Sequence, residues 1–383
     1  MKLPAVSFRH QIRVHQIDTP PRILLGAGPS NPHPRVMEAM NAPLVGHLDP
    51  AFLQVMDEIQ ELLRYVWQTE NEFTIAVSGT GTAAMQAAVA NLVEPGDVVL
   101  VAVNGYFGER LFDMARRCGA DVRRIDKPWG ETFSLEELDA ALRAHRPALL
   151  ALVHAETSTG AEQRLDGVGE LCRAYDALLL VDTVTSLGGL PLFLDEWGVD
   201  AAYSGSQKCL ACPPGASPLT FNQRAMEKAT HRKTPLPHWY FDVNLLKRYW
   251  GEERMYHHTA PINLYYGLRE ALRLVSEEGL LECWQRHRNN AELFWLGLAD
   301  LGLACHVAYD SRLPSLTTVR VPEGVDAAGV VQHLRTHYNI EIAGGLGQLA
   351  GQVWRVGLMG FNSRAENVLL LLAALEEALG RAR

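Results

Sequence analysis

Ala202-Tyr203-Ser204-Gly205-Ser206-Gln207-Lys208 reads as the end of a short strand, Ala201 to Ser204, running into a Gly/Ser turn that presents one lysine. A lysine held there, out of bulk water and beside hydroxyls, is suited to attack a carbonyl. Its amine must be neutral to do so, and a desolvated or cation-flanked site lowers the lysine pKa enough for that. Taken alone, the stretch also reads as a surface lysine in a polar turn. An aspartate at the end of an earlier strand changes the balance: Asp182, in Leu178-Leu179-Leu180-Val181-Asp182. A carboxylate placed there could hold a protonated ring nitrogen opposite the lysine.

Working outward, the pattern is strand, loop, helix, repeated. Phe73 to Val77 reads as a buried strand, Ser78-Gly79-Thr80-Gly81-Thr82 as its loop, and Ala83 to Leu92 as the helix that follows. Free N–H groups at a helix start, with the helix dipole behind them, make an anion site, and threonine hydroxyls add donors. Neither a Walker loop nor the dinucleotide fingerprint fits the glycine spacing. A tight strand–helix turn accounts for the loop equally well. Strands follow at Val98–Val103, Asp121–Ile125, Leu149–Val153 and Leu178–Val181, each alternating with a helical stretch. Ser134 is a plausible N-cap for the helix from Leu135 to His145. Strands alternating with helices at this pitch imply a mostly parallel sheet covered on both faces. Ligands in such sheets sit outside the carboxyl ends of the strands. Thr80, Phe107, Thr157, Asp182 and Lys208 all follow strand ends.

Before these elements, Ala51 to Val66 carries apolar residues at helical spacing. After them the chain is aromatic and irregular at Trp239–Asp242 and Met255–Pro261, then helical from Asn263 to Glu278, with Gly279 as the stop. Beyond it the pattern becomes that of a smaller α+β unit, with strands at Thr317–Val321 and Val353–Met359. The expected division is an N-terminal arm over residues 1–21, a large domain over 22–279 and a small domain over 280–383.

Composition bounds the function. With 35 basic and 44 acidic residues in 383, the net charge is −9, which argues against nucleic acid as a partner. No apolar run approaches the ~20 residues of a membrane span. The basic, acid-poor start, Met1 to Ile17, lacks the helical apolar face of a transit peptide and reads as an extended arm, and the last residues are not a peroxisomal address. Six scattered cysteines suit a reducing compartment, so cytoplasm is the expectation. Cys209-x-x-Cys212 has metal or redox spacing, but it has no second cysteine pair and prolines follow at once. His257-His258 are adjacent, so their side chains are expected to point apart rather than chelate.

The chain resembles the class V, fold type I pyridoxal-phosphate (PLP) aminotransferases, specifically the alanine–glyoxylate and serine–glyoxylate group. The resemblance runs from Gly26 to about Asn367 and rests on ordered stretches. They include Gly28-Pro29-Ser30-Asn31, Ser158-Thr159-Gly160, Val181-Asp182, Ser186-Leu187-Gly188-Gly189, Tyr203 to Lys208, Met255-Tyr256-His257-His258-Thr259 and Gly344-Gly345-Leu346-Gly347. It implies a large PLP-binding domain with a mostly parallel seven-stranded sheet, plus a smaller C-terminal α+β domain.

By the same resemblance Lys208 carries the Schiff base to the cofactor and Asp182 keeps the pyridine nitrogen protonated. Thr80, Gly81, Thr82 and Gln207 hold the phosphate, and Thr157 bonds the ring hydroxyl. Val184 packs one ring face and Phe107 the other; relatives often carry tryptophan at position 107 and histidine at 82. Tyr256 and Thr259 reach the phosphate of a neighbouring subunit, which implies a homodimer with shared active sites. Arg355 clamps the substrate carboxylate with its bidentate fork, and Gly28 and Ser30 join it as substrate-binding residues; a structural ion pair is the competing role for this arginine. The implied reaction moves an amino group from a small amino acid, alanine or serine, to glyoxylate. A ureidoglycine donor is the in-class alternative. A cysteine desulfurase would need a reactive cysteine on a small-domain loop, and none lies between Val307 and Arg383. A silent PLP-binding regulator lacks any DNA-binding segment in support.

Overall fold

The computed structural model describes residues 12–381. The arm expected over 1–21 therefore lies partly outside the described residues, as do Ala382 and Arg383. Residues 12–21 form no helix or strand.

The central sheet has seven strands. In spatial order they are Phe73–Ser78, Ala216–Phe221, Ala201–Tyr203, Leu178–Asp182, Leu149–Val153, Val98–Val103 and Asp121–Asp126. Ala216–Phe221 runs antiparallel to both its neighbours, and the other six strands share one direction. Every residue of Leu149–Val153 and of Leu178–Asp182 is buried. Strands covered on both faces read as continuous apolar runs, as these do.

Local signals set most boundaries. Ser134 and Glu137 form a reciprocal capping box at the start of Leu135–His145. Asp49 caps the helix Pro50–Trp67, whose buried face includes Phe52, Met56, Ile59 and Leu63. Gly279, at φ 92°, separates Ile262–Glu278 from the helix Leu280–Asp300.

Three features differ from the reading of the sequence. The helix after the first loop begins at Gly81, two residues earlier than expected, so the Gly/Thr loop is itself the helix start. Val243–Trp250 is helical, capped by Asp242; at eight residues it is too short for its periodicity to stand out among aromatics. Ile23–Leu24 forms a parallel pair with Ile340–Glu341, and Leu25 is buried with Phe294, Trp354 and Leu375. These residues precede the large sheet in sequence, yet pack in the second apolar cluster. That cluster backs a three-stranded antiparallel sheet of Leu316–Arg320, Val353–Gly357 and Ala343–Gly344.

Candidate active site

The C-terminal ends of the parallel strands converge on Lys208. Its turn is held by side-chain bonds to distant backbone. Ser206 donates to the carbonyl of Pro213 at 2.7 Å, and Ser204 donates to that of Thr183 at 3.0 Å. Ser30 donates its hydroxyl to the carbonyl of Lys208 at 2.8 Å, and its N–H to that of Gln207 at 3.0 Å. The Lys208 amine donates to the carbonyl of Ala27. Gly28, at φ +95°, lies against the same side chain; a Cβ there would sit 2.7 Å from Nζ. Lys208 is 8 % exposed. Burial, and then the charge of Arg355, pull its amine down to about 8.

Asp182 is 2 % exposed. Its Oδ1 accepts from the N–H of Val184 at 2.8 Å, and its Oδ2 from the hydroxyl of Tyr203 at 2.7 Å. Burial pushes the carboxyl up to about 7, against the pull of both hydrogen bonds. A group with a positive charge at this position would restore the ionised form.

Around this pair lie the other predicted residues. Thr80 is the N-cap of Gly81–Leu92, and its side chain makes no cap hydrogen bond. The N–H groups of a helix's first turn have no intrahelical acceptor. Gly81 faces both Val184 and the lysine turn: a Cβ there would stand 3.6 Å from Gly205 Cα and 3.7 Å from Val184 Cγ2. The side-chain oxygen of Gln207 is enclosed without a partner. Thr82 is exposed and accepts from Arg110 Nη1 at 3.2 Å. Thr157 is buried and shares a hydrogen bond with the hydroxyl of Thr185.

Arg355 comes from the smaller sheet. It is 7 % exposed, and its described hydrogen-bond partners are carbonyls, Gly344 at 2.8 Å and Thr157 at 3.3 Å. Burial lowers its pKa from the ordinary arginine value, and the charge of Glu156 opposes this. Among the described residues the expected alternative, a structural ion pair, therefore finds no carboxylate bonded to it.

The lysine, the aspartate, the arginine and the helix start thus share one rim. Tyr256 and Thr259 do not join it within one chain. Both are exposed, and Tyr256 packs on the ring of His47 at 5.1 Å.

Sequence reasoning missed Glu156, which is fully buried. Its carboxylate accepts from the N–H of Phe107 at 3.1 Å, from that of Gly108 at 3.3 Å, and from the hydroxyl of Ser158 at 2.6 Å. It thereby fixes the helix start that carries Phe107. An acid three residues beyond the buried strand Leu149–Val153 was the available signal. Tyr203 was missed too, because its role depends on register with Asp182 across two strands.

His257 and His258 do not point apart: their Nδ1 atoms meet at 2.8 Å. The segment is irregular, so neither helical nor strand alternation governs it. His258 Nε2 bonds Ser78 Oγ at 2.6 Å, and Trp239 stacks on His257 at 4.4 Å. Cys209 and Cys212 are buried, with thiols pushed up to about 12, and no group of three or more metal-ligating side chains exists among the described residues.

A desolvated lysine facing a buried aspartate on the carboxyl rim of such a sheet, with an arginine from a smaller sheet, is the frame of a fold type I aminotransferase. The chain belongs to the class-V aminotransferase family, whose model matches residues 23–370. It is 46% identical over 367 residues to the alanine–glyoxylate aminotransferase of Mus musculus, covering 95% of this chain and 89% of that one. The (S)-ureidoglycine–glyoxylate transaminase of Bacillus subtilis is 39% identical over 384 residues, covering 96% and 92%. A solved alanine–glyoxylate aminotransferase from Nostoc sp. superposes with a TM-score of 0.95 at 66% identity, over 96% of this chain and 98% of that one.

Proposed function

We propose that this aminotransferase binds PLP on Lys208 and exchanges the amino group of a small amino acid, alanine or serine, with glyoxylate. The cofactor reading is supported by features of the site itself. Asp182 is a buried carboxyl lacking a bonded cation among the described residues, which suits a protonated ring nitrogen. The Thr80 loop and the partnerless amide oxygen of Gln207 suit a phosphate, once the amide is turned to donate. On this reading Phe107 and Val184 would pack the two ring faces and Thr157, buried and bonded to Thr185, would meet the ring hydroxyl.

When bound, PLP supplies an electrophilic carbonyl and an electron-poor ring. The chain's own residues do the rest. Lys208 attaches the cofactor and, once released, moves the proton at the substrate Cα as a general acid/base. Its pKa of about 8 leaves a useful neutral fraction near pH 7–8. Arg355 holds the substrate carboxylate and so sets the orientation of the Cα–H bond. Gly28 leaves room for the lysine and for a substrate beside it. Ser30 fixes the turn, and its described hydrogen bonds all go to the carbonyls of Gln207 and Lys208.

The single observation carrying this reading is the burial of Lys208 between the carbonyl of Ala27, Asp182 and Arg355. The choice of alanine with glyoxylate follows the names of the relatives at 46% and 66% identity, and serine rests on the motif resemblance alone. Ureidoglycine stays as the alternative donor, on the relative at 39%. Half-reactions of the PLP form with alanine, serine and ureidoglycine, followed spectrally, test it; no spectral change with alanine or serine would overturn it.

We also propose a cytoplasmic homodimer with shared sites. Exposed Trp239, Tyr240 and Tyr256 beside the His257–His258 pair support a subunit contact, and six free cysteines support a reducing compartment. Among the described residues no helix is long and apolar enough to cross a membrane. A division into units 22–279 and 280–383 is supported by two main clusters of buried residues, although Leu280 and Cys283 pack in the first and Leu25 in the second.

A further inference from the structure

We propose that Arg110 is the cation of the phosphate site. The inference rests on the reading that the Thr80 loop receives a phosphate. The residues assigned to that phosphate (Thr80, Gly81, Thr82, Gln207, Tyr256 and Thr259) are all neutral, whereas a phosphate monoester carries close to two negative charges at pH 7. Arg110 lies one turn along the helix Tyr106–Arg117, partly buried, and Nη1 donates to Thr82 Oγ1 at 3.2 Å. Its guanidinium sits 4.9 Å from the centre of the Phe107 ring, so the aromatic holds it at the mouth of the loop.

Nearby acids are engaged elsewhere. Glu109 takes both terminal nitrogens of Arg124 at 2.7 Å, and Asp113 pairs with Arg116 and Arg117. Among the described residues no carboxylate is hydrogen-bonded to Arg110, and one of the five N–H donors of its fork is used. A guanidinium without a carboxylate therefore faces the positive end of the helix Gly81–Leu92. Two positive features set together are mutually unfavourable unless an anion lies between them. A phosphate dianion at the helix start would accept from the helix N–H groups on one side and from Arg110 on the other.

The experiment compares pyridoxal phosphate with pyridoxal, which lacks the phosphate, as ligands of the cofactor-free full chain. The variants are Arg110→Gln and Arg110→Lys. Arg110→Gln should weaken pyridoxal phosphate binding at least tenfold and leave pyridoxal within twofold. Arg110→Lys should fall between that variant and wild type. Added salt should weaken pyridoxal phosphate less in Arg110→Gln than in wild type. If both ligands weaken together, Arg110 acts through Phe107 and not on the phosphate, and the proposal falls. It falls equally if neither ligand weakens. Wild type that binds the two ligands equally would instead overturn the phosphate reading of the Thr80 loop.

Discussion

Tyr203 donates its hydroxyl hydrogen to Asp182 Oδ2 at 2.7 Å, and the two residues are register partners on adjacent parallel strands. The carboxylate end of the site is thus set by strand pairing, and the phenol is one of two donors that oppose the effect of burial and favour the ionised form. Tyr203→Phe removes a donor that favours the charged form, so the Asp182 carboxyl should hold its proton to higher pH. The acid limb of the kcat/KM profile should move up in pH, and the rate near neutrality should fall about tenfold, as for a lost hydrogen bond to a charged group. An unmoved limb would leave Tyr203 as packing.

Asp182→Asn should still take up PLP yet lose about a hundredfold in kcat, by analogy with ~3 kcal/mol for a removed electrostatic donor. Stopped-flow half-reactions measure this. A variant within twofold of wild type would make Asp182 structural.

Lys208→Ala should abolish borohydride-stable attachment of the cofactor, read by intact mass, together with turnover. It should also change the pH dependence of stability. The folded-state pKa of Lys208 is about 8, below the 10.5 of an unperturbed lysine. Between those values the unfolded chain binds the extra proton, so the cofactor-free wild type gains stability as pH rises through that window. The alanine variant lacks this gain, and melting curves from pH 7.5 to 10.5 should rise less steeply. Parallel curves would mean that the amine is not depressed.

Arg355→Lys keeps the charge and loses the planar fork. Apparent KM should rise for amino donor and keto acceptor alike, while PLP content and Tm stay near wild type. Since the described partners of Arg355 are carbonyls, a loss of stability with both KM values unchanged is the outcome that would remove it from the substrate site.

Mixing Lys208→Ala chains with Tyr256→Phe/Thr259→Ala chains should restore activity above either parent, through heterodimers with one intact site. Tyr256 and Thr259 are exposed in one chain and flank His257–His258, which anchor the segment to Ser78. No recovery in proven heterodimers would exclude shared sites.

Much of the site was legible in order along the chain. The apolar runs at Leu149–Val153 and Leu178–Val181, the Gly/Thr loop at Gly79–Thr82 and the lysine turn after Tyr203 are local patterns, and local sterics and solvation produce them. Ser134 starts its helix because its hydroxyl accepts from an early backbone N–H, and Gly279 stops the helix before it because it takes a φ of 92° without strain. The helix Val243–Trp250 escaped because eight residues between aromatic stretches carry too little periodicity.

By itself, then, the sequence determined the alternation of strands and helices, the parallel sheet that follows from it, and the strand-end positions of Lys208 and Asp182. Only the tertiary structure decided who meets whom on the rim. Tyr203 reaches Asp182, Glu156 holds the N–H groups of Phe107 and Gly108, Arg355 crosses from the smaller sheet, and Ile23–Leu24 pairs with Ile340–Glu341. These contacts join residues from tens to hundreds of positions apart. Nothing in their local periodicity encodes them, because they arise when buried polar groups must find partners once the apolar faces have closed.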